Sequence, residues 1–282
     1  MDIYKKIETE VLLRNNSPID DFENLSPTNF HFILYDTYNK NSPVHFHNRI
    51  DNETLDKVSL FRVAEDFIRI IDREKFIKLT PLGALPKKVM VELYDKKYIY
   101  DELIENGITK LWKEQDCIAI LSTKIVTEIA GITKKANGKM TLTKKGTTFL
   151  KLENRQQFFE LFISTFADKF NWGFNDGYPE KPIGQIGWTF TIYLLNKFGK
   201  EFRSESFYAE KYLKALPDLL NEFETDGYRP QKEQFANCYG VRTFQRFLDW
   251  FGLVETDRKK WNEDLNIKTA EILTKVFKID TD

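Results

Sequence analysis

The dipeptide Asn137-Gly138 lies between two short strand-like runs and constrains the fold more than any other stretch of this sequence. A two-residue type I′ turn needs positive φ at both central positions, which Asn and Gly adopt at little cost, so the pair predicts a β-hairpin. An apolar-periodic segment that Gly131 can end precedes the hairpin, and Thr143 can cap a helix that follows it. The order helix, hairpin, helix is that of the second half of a winged-helix module.

The size and composition of the chain predict folded units with well-filled cores. The chain has 282 residues, of which 41% are hydrophobic and 15% aromatic, and this composition argues against disorder. No apolar run approaches the ~18–20 residues that a membrane helix needs, and residues 1–17 lack the pattern of a secretion signal. Cys117 and Cys238 are far apart, which favours two reduced core thiols over a disulfide or a metal pair. We therefore expect a cytoplasmic protein without a membrane partner.

We expect a mainly α protein with small β-hairpins, built from winged-helix modules and a helical middle region. Its expected segments are an N-terminal helix with an irregular wrapping segment (1–57), a winged-helix unit (58–152), a helical middle region (153–228) and a C-terminal winged-helix-like unit (229–282). In the first segment, residues 30–35 are expected to be irregular or one edge strand. Residues 98–114 should be helical, with a break near Asn106-Gly107, and supply the earlier helices of the winged-helix unit. The residues expected to face inward there are Leu103, Ile104, Ile108 and Leu111.

Three further patterns occur along the chain. Phe158, Phe162, Phe166 and Phe170 recur at spacing four, which predicts a core-facing stripe on one helix. Residues 241–251 predict a helix followed by a short strand, a polar wing and a capped helix, the same order as in residues 118–150. The run KLTPLG (78–83) echoes TLTKKG (141–146), and this echo is either a degenerate repeat or a chance match.

The formal net charge of −1 argues against a dedicated nucleic-acid binder, but the positive charge is concentrated at the predicted wing. Between Glu128 and Glu153 the sequence has six lysines and no acidic residue. A lysine-bearing wing can hold phosphates while the helix before it enters the major groove. The candidate contacts are Lys124, Lys134, Lys135, Lys139, Lys144 and Lys145. The preceding helix offers few side chains that read bases, namely Ser122, Thr123, Lys124, Thr127 and Glu128, so its contacts would position more than they specify.

The run AGITKKANGKMTLTKKGTTFL resembles the wing and closing helix of winged-helix repressors of the MarR type, through Gly131-Ile132, Gly138, Leu142-Thr143 and Gly146. Over residues ~60–225, the order LTPLGALPKKVMVEL, KLWKEQD, wing, FNWGFNDGYP and FYAEKYLKALPDL is similar to a family of uncharacterised bacterial proteins. Relatives of the first half of that family occur in open reading frames of plasmids and mobile elements. The resemblance implies a winged-helix fold and brings no catalytic residues with it.

Two other groups of residues are weaker candidates for a site. In an extended segment His45 and His47 share one face and can point at one metal ion, although polar loop histidines without a site are the commoner outcome. Trp172, Asp176 and Tyr178 either line a pocket or form a tight turn pinned by aromatic rings. No nucleophile–histidine pair or phosphate-cradling glycine loop accompanies them, so we predict neither a catalytic residue nor a cofactor.

Two functional hypotheses from different classes remain open. One is a nucleic-acid-binding protein with a regulatory or mobile-element-related role, which contacts double-stranded DNA through the basic wing. The other is a non-enzymatic scaffold that uses winged helices to hold protein partners, since fold does not determine function. Salt distinguishes them, because the affinity of a phosphate-binding wing for DNA falls steeply with ionic strength.

Overall fold

The computed structural model describes residues 3–224, 229–257 and 264–280, which are mainly helical with small antiparallel sheets. The α-helices are α1 (Ile3–Asn16), α2 (Pro27–Tyr35), α3 (Asn52–Asp56), α4 (Ser59–Glu74), α5 (Lys87–Tyr94), α6 (Glu102–Glu105), α7 (Ile118–Ile129), α8 (Lys144–Thr148), α9 (Arg155–Asp168), α10 (Trp188–Phe198), α11 (Glu205–Ala215), α12 (Gln231–Tyr239) and α13 (Glu271–Val276). The strands are β1 (Val44–Phe46), β2 (Ile77–Lys78), β3 (Thr133–Ala136), β4 (Lys139–Leu142), β5 (Arg203–Ser204), β6 (Val254–Asp257), β7 (Asn266–Thr269) and β8 (Phe277–Ile279). Short 3₁₀ turns lie at Asp20–Phe22, Glu114–Asp116, Leu152–Asn154 and Pro217–Glu222, and a π-helix at Gly240–Leu248.

The chain forms two compact units. The wing unit comprises Asn48–Asn171 and Trp250–Gly252. The split unit comprises Met1–His47, Trp172–Asp249 and Leu253–Asp282. In the part of the chain that the structure describes, no helix has both the length and the apolar character that crossing a bilayer requires.

In the wing unit, helices and strands follow one another in the order α4, β2, α5, α7, β3, β4. The three strands form one antiparallel sheet in the order β2-β4-β3, so the last strand lies between the other two. The predicted hairpin is confirmed, because Asn137 and Gly138 have φ of 51° and 68° and Ala136 pairs with Lys139 across the turn. Such a turn matches the twist of the flanking strands and fixes their register.

Both predicted boundaries of the hairpin are confirmed. Gly131, with φ of 68°, lies just beyond the end of α7. The Thr143 side chain accepts a hydrogen bond from the Gly146 backbone N–H at 3.1 Å and so caps α8. It also donates to the Gly131 carbonyl at 2.7 Å, which joins the two ends of the hairpin. One side chain therefore stabilises the start of α8 and the exit from α7 together.

The phenylalanine stripe faces the core of the wing unit, as predicted, although its last member, Phe170, lies two residues beyond the end of α9. Phe158, Phe162, Phe166 and Phe170 are all buried. Phe158 contacts Phe61 of α4 edge to face, with ring centroids 5.0 Å apart. Rings in this geometry contribute beyond their buried area, by about 0.5–1.5 kcal/mol for each pair.

The split unit repeats the order of the wing unit with α10, β5, α11, α12, β6 and β7. Its three antiparallel strands again place the last between the other two, in the order β5-β7-β6. A separate two-stranded ribbon pairs β1 with β8. Residues 258–263 of the predicted polar wing lie outside the described residues. The helix expected at 241–251 is largely a π-helix that continues α12 without a break.

Two local expectations were wrong. Residues 30–35 belong to α2, because Pro27 occupies its first turn and the Ser26 side chain accepts a hydrogen bond from Asn29 N–H. Residues 98–114 contain the single turn of α6 and the first residue of a 3₁₀ turn at Glu114, and no helix follows the expected break, where Gly107 has φ of 70°. Ile108, expected to face inward, is consequently exposed.

Candidate nucleic-acid interface

The register of the β2-β4-β3 sheet assigns its residues to two faces. Ile77 lies opposite Met140, and both are buried, so this face points into the wing unit. Lys78 lies opposite Lys139, which in turn lies opposite Ala136. Because side chains alternate between faces along a strand, Lys78 and Lys139 occupy the outer face.

The outer face of the sheet, hereafter the lysine face, combines three lysines with one aromatic ring. Lys134 shares this face, since it lies two residues from Ala136 on β3. The exposed ring of Phe76 lies beneath the Lys139 ammonium group, whose nitrogen is 4.1 Å from the ring centroid. These four side chains are exposed, and no acidic residue lies on the described strand positions of this face.

The other predicted lysines of the wing do not join the lysine face. Lys135 lies opposite Met140, and its ammonium group folds over Gly83, 2.1 Å from where a Cβ would stand. Lys145 donates to the Ala130 carbonyl at 3.1 Å and so caps the end of α7. Lys144 is exposed at the first turn of α8. These three lysines therefore lie in three different surroundings, away from the lysine face.

Lys124 is placed in the interior, and we withdraw it as a nucleic-acid contact. Its side chain is 9% exposed and pairs with that of Glu114, which is 5% exposed, at 2.7 Å. It also donates to the Gly83 carbonyl at 2.8 Å. A buried ammonium group needs such partners, so this lysine ties α7 to the two loops that precede it.

Helix α7 itself is enclosed by its own unit. Ser122, Thr123 and Thr127 are buried, whereas Glu128 near the end of the helix is exposed. The hydroxyl of Thr123 donates to the Ala119 carbonyl at 2.9 Å. Of the five side chains considered as base readers, four are therefore inside the protein and the fifth is negatively charged. Helix α7 cannot lie in a major groove without unpacking the wing unit.

Lys78 and Phe76 were not selected from the sequence. The alternation of Phe76, Ile77 and Lys78 around one buried residue is a signal for a strand with an exposed face. However, β2 is only two residues long, and nothing local specifies that it pairs with a strand sixty residues later.

The loop with Trp172, Asp176 and Tyr178 is pinned rather than open. The Asp176 carboxylate and the Arg242 guanidinium have side chains that are both 0% exposed, with Nε and Oδ2 2.5 Å apart. Arg242 also donates to the Lys181 and Pro179 carbonyls at 2.6 and 2.9 Å. The Trp172 ring is buried against Phe247, and the Tyr178 backbone N–H donates to Asp176 Oδ1 at 2.9 Å. This geometry matches the alternative of a turn held by aromatic rings.

His45 lies on β1 and His47 lies one residue beyond its end, and the two form no ligand cluster in the described ranges. The His45 ring nitrogen is 3.7 Å from an Asp280 carboxylate oxygen, and the His47 ring nitrogen is 3.0 Å from the Thr274 carbonyl oxygen. Among the described residues, no three His, Cys, Asp or Glu side chains are arranged to hold a metal ion.

Both cysteines are unpaired by disulfides and buried, as predicted. Burial raises the pKa of the Cys117 thiol to about 11 and that of Cys238 to about 12. Both are therefore core thiols with almost no thiolate at neutral pH.

The lysine face is thus the part of the wing where exposed lysines share one side of a sheet. Comparisons with protein-family models, with curated proteins and with solved structures give no match to this chain.

Proposed function

We propose that this protein is a non-enzymatic nucleic-acid-binding protein with two winged-helix modules, which holds the phosphate backbone of DNA on its lysine face. The order α4, β2, α5, α7, β3, β4 with its β2-β4-β3 sheet supports a winged-helix module in the wing unit. The same order and the β5-β7-β6 sheet support a second module in the split unit. A regulatory role fits the resemblance of the wing to MarR-type repressors, and a mobile-element-related role fits the similarity of residues ~60–225 to the uncharacterised bacterial family.

The observation that carries the proposal is the direct opposition of Lys78 and Lys139 on neighbouring strands. Like charges directly opposite each other in a sheet destabilise it, and the Phe76 ring beneath Lys139 offsets part of that cost. A phosphate between the two ammonium groups turns their repulsion into attraction. Lys134 extends the same positive face along β3.

The burial of α7 supports the kind of recognition that we propose. Phosphate contacts position a protein on DNA but carry no sequence information, and side chains that read base edges must reach into a groove. The buried hydroxyls of Ser122, Thr123 and Thr127 do not reach one. Binding should therefore be independent of sequence and strongly dependent on salt.

The test compares two triple variants that change the net charge equally. One variant carries Lys78→Glu, Lys134→Glu and Lys139→Glu on the lysine face. The control carries Lys88→Glu, Lys96→Glu and Lys110→Glu at exposed positions elsewhere in the wing unit. Binding to labelled DNA duplexes of unrelated sequence is measured by fluorescence anisotropy over a range of salt concentrations.

We expect the lysine-face variant to lose binding and the control to retain most of it. The slope of log K against log salt should fall by about 0.9 for each phosphate contact that is removed. Equal losses in the two variants, at unchanged melting temperature, would show that only net charge matters and that the lysine face is not the site.

A second candidate function is the protein scaffold, favoured by a group of exposed apolar side chains in the wing unit. Leu82, Tyr100, Ile108 and Trp112 are all exposed on the loops around α5 and α6. Exposed apolar groups of this kind mark protein-binding surfaces more often than nucleic-acid sites. Failure of the unmodified protein to bind DNA at low salt would leave the scaffold as the better assignment.

A further inference from the structure

Helix α1 is exposed on all sides although it is rich in apolar residues. None of its side chains is buried, and Ile3, Ile7 and Val11 are 68%, 53% and 50% exposed. At 100° per residue these three side chains lie within one narrow stripe along the helix. An apolar stripe left in water on a folded protein marks a surface that another molecule covers.

The C-terminal end of α1 is anchored to its own unit by hydrogen bonds. The Thr28 hydroxyl of α2 donates to the Asn15 carbonyl at 2.9 Å. Beyond the helix, Ile19 N–H donates to the Leu25 carbonyl at 3.1 Å. The side chains of residues 3–16 nevertheless remain exposed, so the contact with α2 does not cover the apolar stripe.

The split unit has an apolar groove of about 680 Å³ between α11, α12 and the 3₁₀ turn Pro217–Glu222. Its apolar lining consists of Ala209, Leu213, Pro217, Leu220, Phe235 and Ala236. Among the described residues that line the groove, none belongs to α1. One chain thus presents an uncovered apolar helix and an unfilled apolar groove in the same unit.

The charges around the two surfaces are complementary. Residues 3–16 have three basic and two acidic side chains, a net charge of +1. The charged groups that line the groove are Glu210, Lys214, Lys232, Glu233 and Asp264, which give three negative and two positive charges, a net charge of −1. Lys214 is already paired with Asp20 and Asp21, so the rim presents its carboxylates to an incoming helix.

We propose that two copies of this chain associate by reciprocal exchange, with the Ile3, Ile7 and Val11 stripe of each α1 seated in the groove of the other copy. The arrangement is isologous, because the same two surfaces meet twice around a two-fold axis. Asp20, just beyond the anchored end of α1, pairs with Lys214 on the groove rim. The C-terminal end of α1 therefore lies next to the groove of its own chain, which receives α1 of the partner copy.

The test measures the molar mass of the full-length chain by sedimentation across a dilution series. The variant Ile7→Glu/Val11→Glu places two charges on the stripe. The control Thr9→Glu/Leu13→Glu adds the same charge on the opposite side of α1, at positions that are also exposed. We expect a dimer for the unmodified chain and for the control. The dissociation constant of the stripe variant should be at least about tenfold higher for each substituted residue. Burial of an aliphatic side chain contributes more than the ~1.4 kcal/mol that corresponds to one factor of ten.

Mixing two variants separates exchange from any other dimer. The groove variant Ala236→Glu should be monomeric alone, as should the stripe variant. In the mixture, the intact α1 of the groove variant can bind the intact groove of the stripe variant. Heterodimers should therefore form although each variant alone is monomeric. A monomeric unmodified chain, a dimer that survives both sets of substitutions, or a mixture that stays monomeric would each overturn the proposal. So would a small molecule or an unrelated protein bound in the groove of a monomer.

Discussion

Asp176 and Arg242 form a polar interaction that is sealed inside the split unit. The carboxylate has no exposed side-chain surface, and the guanidinium also donates to the Lys181 and Pro179 carbonyls. Removal of one partner from such a pair leaves an uncompensated buried charge, which costs more than the pair contributes while intact. Asp176 therefore holds the loop 174–181 on the π-helix.

We expect Asp176→Ala to lower the free energy of unfolding by about 3–5 kcal/mol, as for other buried pairs that lose one partner. Urea denaturation of the purified protein measures this change. Asp218→Ala removes a carboxylate from an exposed position of the same unit and should change stability by less than about 0.5 kcal/mol. Similar losses in the two variants would mean that Arg242 finds other partners and that the pair does not hold the loop.

Lys124 illustrates which part of the candidate site the sequence could not specify. Its position on the helix before the predicted wing suggested a contact with DNA, whereas the structure buries it against Glu114. The sequence pattern shows charge but not the depth at which a side chain lies, because depth depends on how α7 packs on other elements. Lys78 shows the converse, since its contribution to the lysine face depends on pairing with β4.

At the element scale, the features governed by neighbouring residues were predicted correctly. The turn at Asn137-Gly138, the cap at Thr143 and the buried stripe of α9 each follow from local backbone preference or helical spacing. Elements set by distant contacts were not predicted. The short strand β2 and the π-helix after α12 have no local signature, because each depends on packing or pairing with a remote segment.

The Thr143 hydroxyl contributes at two places, which gives a prediction for the hairpin and α8. Thr143→Ala removes the cap on the Gly146 N–H and the bond to the Gly131 carbonyl together. We expect a loss of about 0.5–2 kcal/mol in the free energy of unfolding, the range for capping residues. Thr148→Ala removes a hydroxyl that bonds only to the Lys144 carbonyl in the same helix, and its effect should be smaller. Equal losses for the two variants in urea unfolding would mean that the cap and the bond to the Gly131 carbonyl do not stabilise the hairpin and α8.

At the scale of the whole molecule, the chain uses one order of elements twice. The first set runs from α4 to β4 and the second from α10 to β7, and each sheet places its last strand in the middle. The sequence suggested the second set only from residue 229 onward, because its first helix and strand lie in what was expected to be a helical middle region. The two sets share a topology, and few residues are needed to specify a topology.

The response of the molecule to acid depends on carboxylates that are paired in the folded state. Burial alone would raise the pKa of Glu23, but hydrogen bonds from the Lys211 and Lys197 ammonium groups outweigh it and lower that pKa. Hydrogen bonds from the Arg73 guanidinium at 2.6 and 2.9 Å likewise lower the pKa of Glu92. Each unit therefore contains a carboxylate that binds protons more weakly when folded than when unfolded.

Acidification should destabilise the protein below about pH 4.5, the ordinary pKa of glutamate. Because the pKa of Glu23 is lowered in the folded state, its contribution is fully present above that pH and is lost as the pH falls through the folded pKa. Urea midpoints measured from pH 7 to pH 3 should fall steeply for the unmodified chain. Glu23→Gln should start lower at pH 7 and fall less, because a side chain that cannot ionise contributes no proton uptake, whereas Glu180→Gln at an exposed position should follow the unmodified curve. If Glu23→Gln falls as steeply as the unmodified chain, the lysine pair does not stabilise the ionised carboxylate and the acid response must come from other groups.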